Sequence, residues 1–238
     1  MEPLLLAWYS EHGRDLPWRH TRDPYAILVS EVMLQQTQVA RVVPRYLAWL
    51  ERWPTVDSLA AASPADVIRE WQGLGYNRRA LSLHRAARQI AGEGWPDDLT
   101  ELPSVGPYTA AAIGCFALGR DVLPVDVNVE RVRRRTRAHF SSASAQALMD
   151  LGATVCLARV PRCGACPLAV ACPSRGVREE PVRRQGAFEG SFRQRRSAIL
   201  RAVTDGSREL RVLDTEAVRS LERDGLVVVE NGWVALPA

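Results

Sequence analysis

Leu102-Pro103-Ser104-Val105-Gly106-Pro107-Tyr108-Thr109 runs directly into the apolar stretch Ala110 to Leu118. Prolines at 103 and 107, with Ser104 and Gly106 between them, punctuate a tight turn, and the apolar run after it predicts a helix that starts there. A turn of this kind can present backbone N–H groups at a helix N-terminus, where they hold a phosphate without reading base sequence. Taken alone, the segment reads equally as an ordinary helix–helix turn.

Outward from this turn, most of residues 1–155 carries apolar positions three and four apart, as in Ser30 to Leu50 and Ser63 to Leu74, which predicts short helices rather than strands. Ser63-Pro64 offers a cap followed by proline at the first helical position, and Thr100 precedes another turn. After Cys172 the texture shifts to Arg, Glu, Pro and Gly through residues 173–190, a linker composition. In the tail, Ser191 predicts a helix through Val203, and Asp214 or Thr215 a second ending at Asp224-Gly225. Leu226 to Leu236 then predicts a hairpin turning at Asn231-Gly232. Helices followed by a two-stranded wing suggest a winged-helix-like unit; a packing cap without nucleic-acid contact fits the same pattern.

Hydrophobic residues make up 47 % of the chain and charged ones 24 %, the balance of a soluble globular protein. Met1 to Arg19 lacks the shape of a secretory signal, and the longest later apolar run is too short to span a bilayer, so the expectation is a cytoplasmic protein. The formal charge of +4 by itself supports only a mild preference for anions. More informative is that all 31 basic residues are arginines. With no lysine side chain, the usual Schiff base on a sugar aldehyde cannot form, and only the N-terminal amine remains.

Three further segments carry candidate chemistry. Ser30-Glu31-Val32-Met33-Leu34-Gln35-Gln36-Thr37-Gln38 places one acid in an otherwise uncharged stretch, a setting that favours a protonated carboxyl and hence a general acid, unless Glu31 faces solvent. Pro124-Val125-Asp126-Val127-Asn128-Val129 precedes arginines at 131, 133, 134, 135 and 137. Asp126 suits a carboxylate held near a polyanion or a plain helix cap, and the arginines suit that polyanion or a solvated face. Cys156, Cys163, Cys166 and Cys172 are spaced Cys-x6-Cys-x2-Cys-x5-Cys, one close pair with two outliers rather than the two pairs usual for zinc, which suits a [4Fe-4S] cluster. Cys115 reads as a small buried hydrophobe, Trp49, Trp53 and Trp71 as core, and the four histidines share no ligand spacing.

Together these segments, with Leu16-Pro17-Trp18-Arg19 and Gly73-Leu74-Gly75-Tyr76, resemble the endonuclease III superfamily, and within it most closely the MutY-like adenine DNA glycosylases, over about Trp8 to Cys172. Endonuclease III itself would show a lysine where this chain has Tyr108. The resemblance implies an all-α helix-hairpin-helix glycosylase fold: a six-helix barrel domain over 20–126, and an iron-sulfur domain from 1–19 and 127–175. A linker at 176–190 and a small winged-helix-like C-terminal unit at 191–238 complete the expected organisation.

The same resemblance implies a monomeric, monofunctional glycosylase that removes adenine opposite 8-oxoguanine or guanine from double-stranded DNA, with a [4Fe-4S] cluster on the four cysteines. Relatives acting on mismatched thymine, uracil or hypoxanthine, or a catalytically silent DNA-binding relative, are the alternatives. Glu31 protonates the flipped base, Asp126 stabilises the sugar cation, and Asn128 and Tyr108 hold Asp126 in place. The base pocket and DNA-binding surface comprise Trp18, Arg19, Gln35, Gln36, Thr37, Tyr76, Val105, Gly106 and Arg131. Of these, Trp18 and Arg19 line the pocket, while Gln36 and Tyr76 wedge into the duplex. The cluster orders a DNA-contacting loop bearing Arg159 and Arg162.

Three features depart from the family pattern. Ser104 stands where a glycine is expected in the hairpin, only 29 residues separate Asp126 from Cys156, and the 48 residues after Gly190 are too few for the larger domain that reads 8-oxoguanine.

Overall fold

The computed structural model describes residues 1–180 and 186–238; of the expected linker 176–190, residues 181–185 lie outside the described residues. The described chain is helical apart from three short strands near the C-terminus. It divides into two compact units, one of residues 1–28 with 106–180, the other of 29–105 with 186–238.

The first unit contains α1 (Glu2–His12), a 3-10 turn at Pro17–Arg19 and the start of α2 (Pro24–Leu34), whose first amides Asp23 caps. It continues with α7 (Pro107–Phe116), α8 (Val127–Thr136), α9 (Ala145–Thr154) and the cysteine segment. Leu5, Val129, Val132, Leu148, Leu151 and Leu168 form its core, each at most 1 % exposed. Full burial of such side chains contributes roughly 1.5–3 kcal/mol each. Helix α9 packs on both α8 and α1.

The second unit holds the rest of α2, α3 (Val39–Arg52), α4 (Val56–Ala60), α5 (Pro64–Glu70) and α6 (Arg78–Glu93). Trp49 meets Trp53 and Trp71 edge-on, with ring centroids 4.7 and 5.5 Å away, so these tryptophans are core as expected. Ser63 caps α5 with Pro64 behind it, and Thr55 and Ser58 cap α4 reciprocally. Thr100, by contrast, lies inside a 3-10 turn that Asp98 caps.

The tail runs α10 (Phe192–Ala202), β1 (Arg208–Glu209), α11 (Thr215–Arg223), β2 (Val228–Glu230) and β3 (Trp233–Ala235), with antiparallel sheet order β1-β3-β2. Ser191 caps α10 and Asp214 caps α11. The β2–β3 hairpin turns at Asn231 and Gly232, whose φ values of 50° and 79° match a two-residue type I′ turn. Its buried face shares one core with Ala65 and Ile68 of α5.

Candidate active site

In the first unit, Asp126 is the N-cap of α8. Its Oδ1 accepts the backbone N–H groups of Asn128 (2.9 Å) and Val129 (2.7 Å), and Oδ2 accepts the Asn128 side-chain amide at 2.8 Å. Asp126 is thus the cap that one of its two readings expected, and donors from the helix start hold both of its carboxyl oxygens. Tyr108 sits half-buried in the first turn of α7.

Asn128 is itself anchored. Its Oδ1 accepts from Arg131 at 2.7 Å, and Arg131 also donates to the carbonyls of Gly152 and Cys156, both at 2.7 Å. Arg131 is 9 % exposed, which corrects its expected place on the DNA surface: its donors face inward and tie α8 to α9 and the cysteine segment.

Arg19 also bonds inside the protein. Its guanidinium grips Asp150 with two bonds of 2.7 and 2.8 Å and donates to the Arg14 carbonyl, so it anchors the turn that carries Trp18. Asp150 has no exposed side chain and also pairs with Arg14 at 2.6 Å. Burial opposes its charge, but the hydrogen bonds from Arg19 and Arg14 outweigh that and hold its carboxyl below the usual aspartate range.

In the second unit, Glu31 is buried at 6 % exposure, between the fully covered Val29 and Val32. Beyond the end of α2, the Gln35 side chain donates to the Ser104 carbonyl at 3.2 Å, and the Thr37 hydroxyl reaches the carbonyls of Gln35 and Leu74. Gln36 is exposed with φ of 56°, and Tyr76 is 44 % exposed with φ of 48°. Ser104 takes φ of 67°, the left-handed conformation that explains the glycine expected there. Val105 is buried and Gly106 forms the N-cap of α7.

Cys156, Cys163, Cys166 and Cys172 line one cavity, with Arg135 and Val155 among its walls. Burial, and then the other three sulfurs, push the Cys166 thiol up against a single backbone N–H that lowers it. Arg135 donates to Cys156 Sγ at 3.5 Å and the Gly176 N–H to Cys163 Sγ at 3.3 Å. Among the described residues, no group of three or more His, Cys, Asp or Glu side chains is drawn together to hold a metal ion.

Sequence reasoning passed over Arg79 and Asp150 and took Arg135 only as one member of an arginine run. Each falls on an apolar stripe: Arg79 with Leu83, Ala86 and Ile90, Arg135 with Val132, and Asp150 with Ala147 and Leu151. A charge at helical spacing inside such a stripe was the available signal.

Residues 29–156 match the HhH-GPD superfamily of base excision DNA repair proteins. An adenine DNA glycosylase of Mycolicibacterium smegmatis is 44 % identical over 236 residues, spanning 85 % of this chain and 80 % of that protein. Among solved structures, a thermostable thymine-DNA glycosylase superposes with a TM-score of 0.66 at 27 % identity, covering 73 % of this chain and 94 % of that one. An endonuclease III trapped as a covalent intermediate with DNA shares the fold, with a TM-score of 0.62 at 21 % identity over 71 % of this chain and 91 % of its own. The chain belongs to the HhH-GPD superfamily of base excision DNA repair proteins, and within it to the adenine DNA glycosylase family.

Proposed function

We propose that this protein is a monofunctional glycosylase that hydrolyses the N-glycosidic bond of adenine mispaired with 8-oxoguanine or guanine in double-stranded DNA. The observation that carries this reading is the fixed carboxylate of Asp126, both of whose oxygens are aimed by donors from its own helix start. The choice of adenine follows the 44 % identical relative.

Glu31 gives a proton to a ring nitrogen of the extruded adenine, so the base leaves neutral. Asp126 stabilises the cationic sugar that results, Asn128 and Tyr108 keep it oriented, and water adds to the sugar to leave an abasic site. Because the chain has no lysine, no side-chain amine traps the sugar. Gln36 and Tyr76 wedge into the gap that the extruded base leaves, with Trp18, Gln35 and Thr37 near the base and Val105 and Gly106 at the phosphates.

The four cysteines fit a [4Fe-4S] cluster. Four thiols around one cavity, with N–H donors on two of the sulfurs, suit a shared cationic centre more than four isolated thiols. When bound, the cluster cross-links residues 156–172 and orders the loop bearing Arg159 and Arg162. The domain reading keeps a barrel over 20–126, a cluster domain from 1–19 and 127–175, and a winged-helix-like unit at 191–238. The protein acts as a monomer in the cytoplasm.

The likeness to a thymine-DNA glycosylase favours one second reading, removal of mismatched thymine. Single-turnover excision on duplexes pairing A, T, U or hypoxanthine with G or 8-oxoguanine separates the two. Adenine released opposite 8-oxoguanine by the wild type but not by Glu31→Gln supports the proposal; release of thymine alone overturns it.

A further inference from the structure

Arg79, in the first turn of α6, is 8 % exposed, and its hydrogen-bond partners among the described residues are carbonyls and one hydroxyl. Nη1 donates to the carbonyls of Val32 (2.7 Å), Met33 (3.1 Å) and Gln35 (2.5 Å). Nη2 donates to Thr37 Oγ1 (3.0 Å) and to the carbonyls of Leu74 (3.3 Å) and Gly75 (3.0 Å). The rings of Trp71 and Tyr76 flank the same guanidinium at 5.3 and 5.5 Å. One planar cation thus holds two loops, residues 35–37 after α2 and residues 74–76 before α6.

The acceptors are placed where backbone conformation is unfavourable. The carbonyls of Gln35 and Gly75 belong to the peptide planes that immediately precede Gln36 and Tyr76, and these two residues take φ of 56° and 48°. A left-handed conformation is costly for a residue with a Cβ and persists only where surrounding bonds over-determine it. Gripping the preceding carbonyl fixes the orientation of that peptide plane and so restrains the following φ. Burial lowers the Arg79 pKa to about 10, which leaves the side chain charged near neutral pH. A lysine could supply neither the fixed fork nor the span, because it presents its donors from one point.

We propose that Arg79 is a positioning residue that locks both loops at once, so that Gln36 and Tyr76 are presented to the duplex together in a preset spacing. The inference rests on the wedge reading of those two side chains. Its test combines single-turnover excision with fluorescence of 2-aminopurine beside the target base, both at saturating protein, for Arg79→Lys, Gln36→Ala and Tyr76→Ala. Amide hydrogen exchange of residues 35–37 and 74–76 is measured on the same proteins.

The expected result is that Arg79→Lys loses the extrusion signal and slows excision on the order of 10²-fold, while its affinity for undamaged duplex stays that of the wild type. Exchange should rise in both loops together. Wild-type extrusion and excision by Arg79→Lys, with or without a lowered Tm, overturn the proposal even where Gln36→Ala and Tyr76→Ala are impaired. Normal extrusion by both of those variants overturns the wedge reading and the proposal with it. Should Arg79→Lys fail to fold, Thr37→Val removes the hydroxyl shared by Arg79 and Leu74 and is expected to lose extrusion in the same sense; an unaltered signal overturns the proposal.

Discussion

Gly152 of α9 lies so close to Asn128 of α8 that a Cβ there would stand 2.7 Å from the Asn128 Cβ and 3.0 Å from its carbonyl oxygen. No side chain fits in that space, and Asn128 is the residue whose amide orients Asp126. Gly152→Ala is therefore expected to push the two helices apart, at a cost of about 1–3 kcal/mol from overpacking. Excision should also fall at temperatures where the variant remains folded. A melting curve and a single-turnover assay on the same protein check this, and unchanged values in both would refute it.

One substitution separates the cap role of Asp126 from the catalytic role proposed for it. Asparagine caps a helix about as well as aspartate, so Asp126→Asn should keep the α8 start and a Tm close to the wild type. It removes the negative charge proposed to stabilise the sugar cation, and excision should drop by roughly 10²-fold or more. An Asp126→Asn protein that excises at the wild-type rate would reduce the residue to a cap.

Asp150 makes the first unit acid-sensitive. Its carboxyl is held below the usual aspartate range, so the folded form keeps its charge at a pH where the unfolded chain would take up a proton. The stability from this pairing is complete above about pH 4, near the unfolded value, and is lost as pH falls through the lower folded value. Asp150→Asn leaves Arg14 and Arg19 without their carboxylate and should cost about 3–5 kcal/mol at neutral pH. Urea unfolding across the acid range checks both statements: the mutant's deficit should shrink as the pH drops.

Ser104 carries a removable strain. Left-handed backbone costs a residue with a Cβ roughly 1–2 kcal/mol, and glycine gives back roughly 0.5–1 kcal/mol in chain entropy. Ser104→Gly should thus stabilise the protein by about 0.5–1 kcal/mol and leave intact the carbonyl that Gln35 binds. Chemical denaturation measures the gain, and a loss of stability would show that the serine side chain supplies something the backbone argument omits.

Purified protein should be brown, with absorbance near ~400 nm from the cluster. Cys166→Ser should abolish that absorbance and make residues 156–172 susceptible to protease, because the thiol lies in the same cavity as the other three. A colourless wild type, purified and reconstituted without oxygen, would remove the cluster from the proposal.

Local chemistry made much of this molecule legible from the chain alone. Ser63-Pro64, Ser191 and Asp214 start helices because their side-chain oxygens accept orphan amides within three residues, and Asn231-Gly232 turns a hairpin because both tolerate positive φ. The turn at residues 102–109 announced the start of α7. None of these inferences needs more than a few neighbouring residues.

Charge was the opposite case. Arg19, Arg79, Arg131 and Arg135 are chemically alike in sequence, yet all four are largely buried and spend most of their donors on protein carbonyls or carboxylates. Their partners lie far along the chain: Arg19 meets Asp150, and Arg131 meets Cys156. Where a helix begins is written in adjacent residues, but where a long cationic side chain finds its acceptors depends on which distant backbone the packing brings beside it. The sequence therefore determined the helices, the turns and the candidate catalytic carboxylates. Only the tertiary structure decided which cations became internal struts, because a buried guanidinium must find several acceptors at once and no local stretch of chain supplies them.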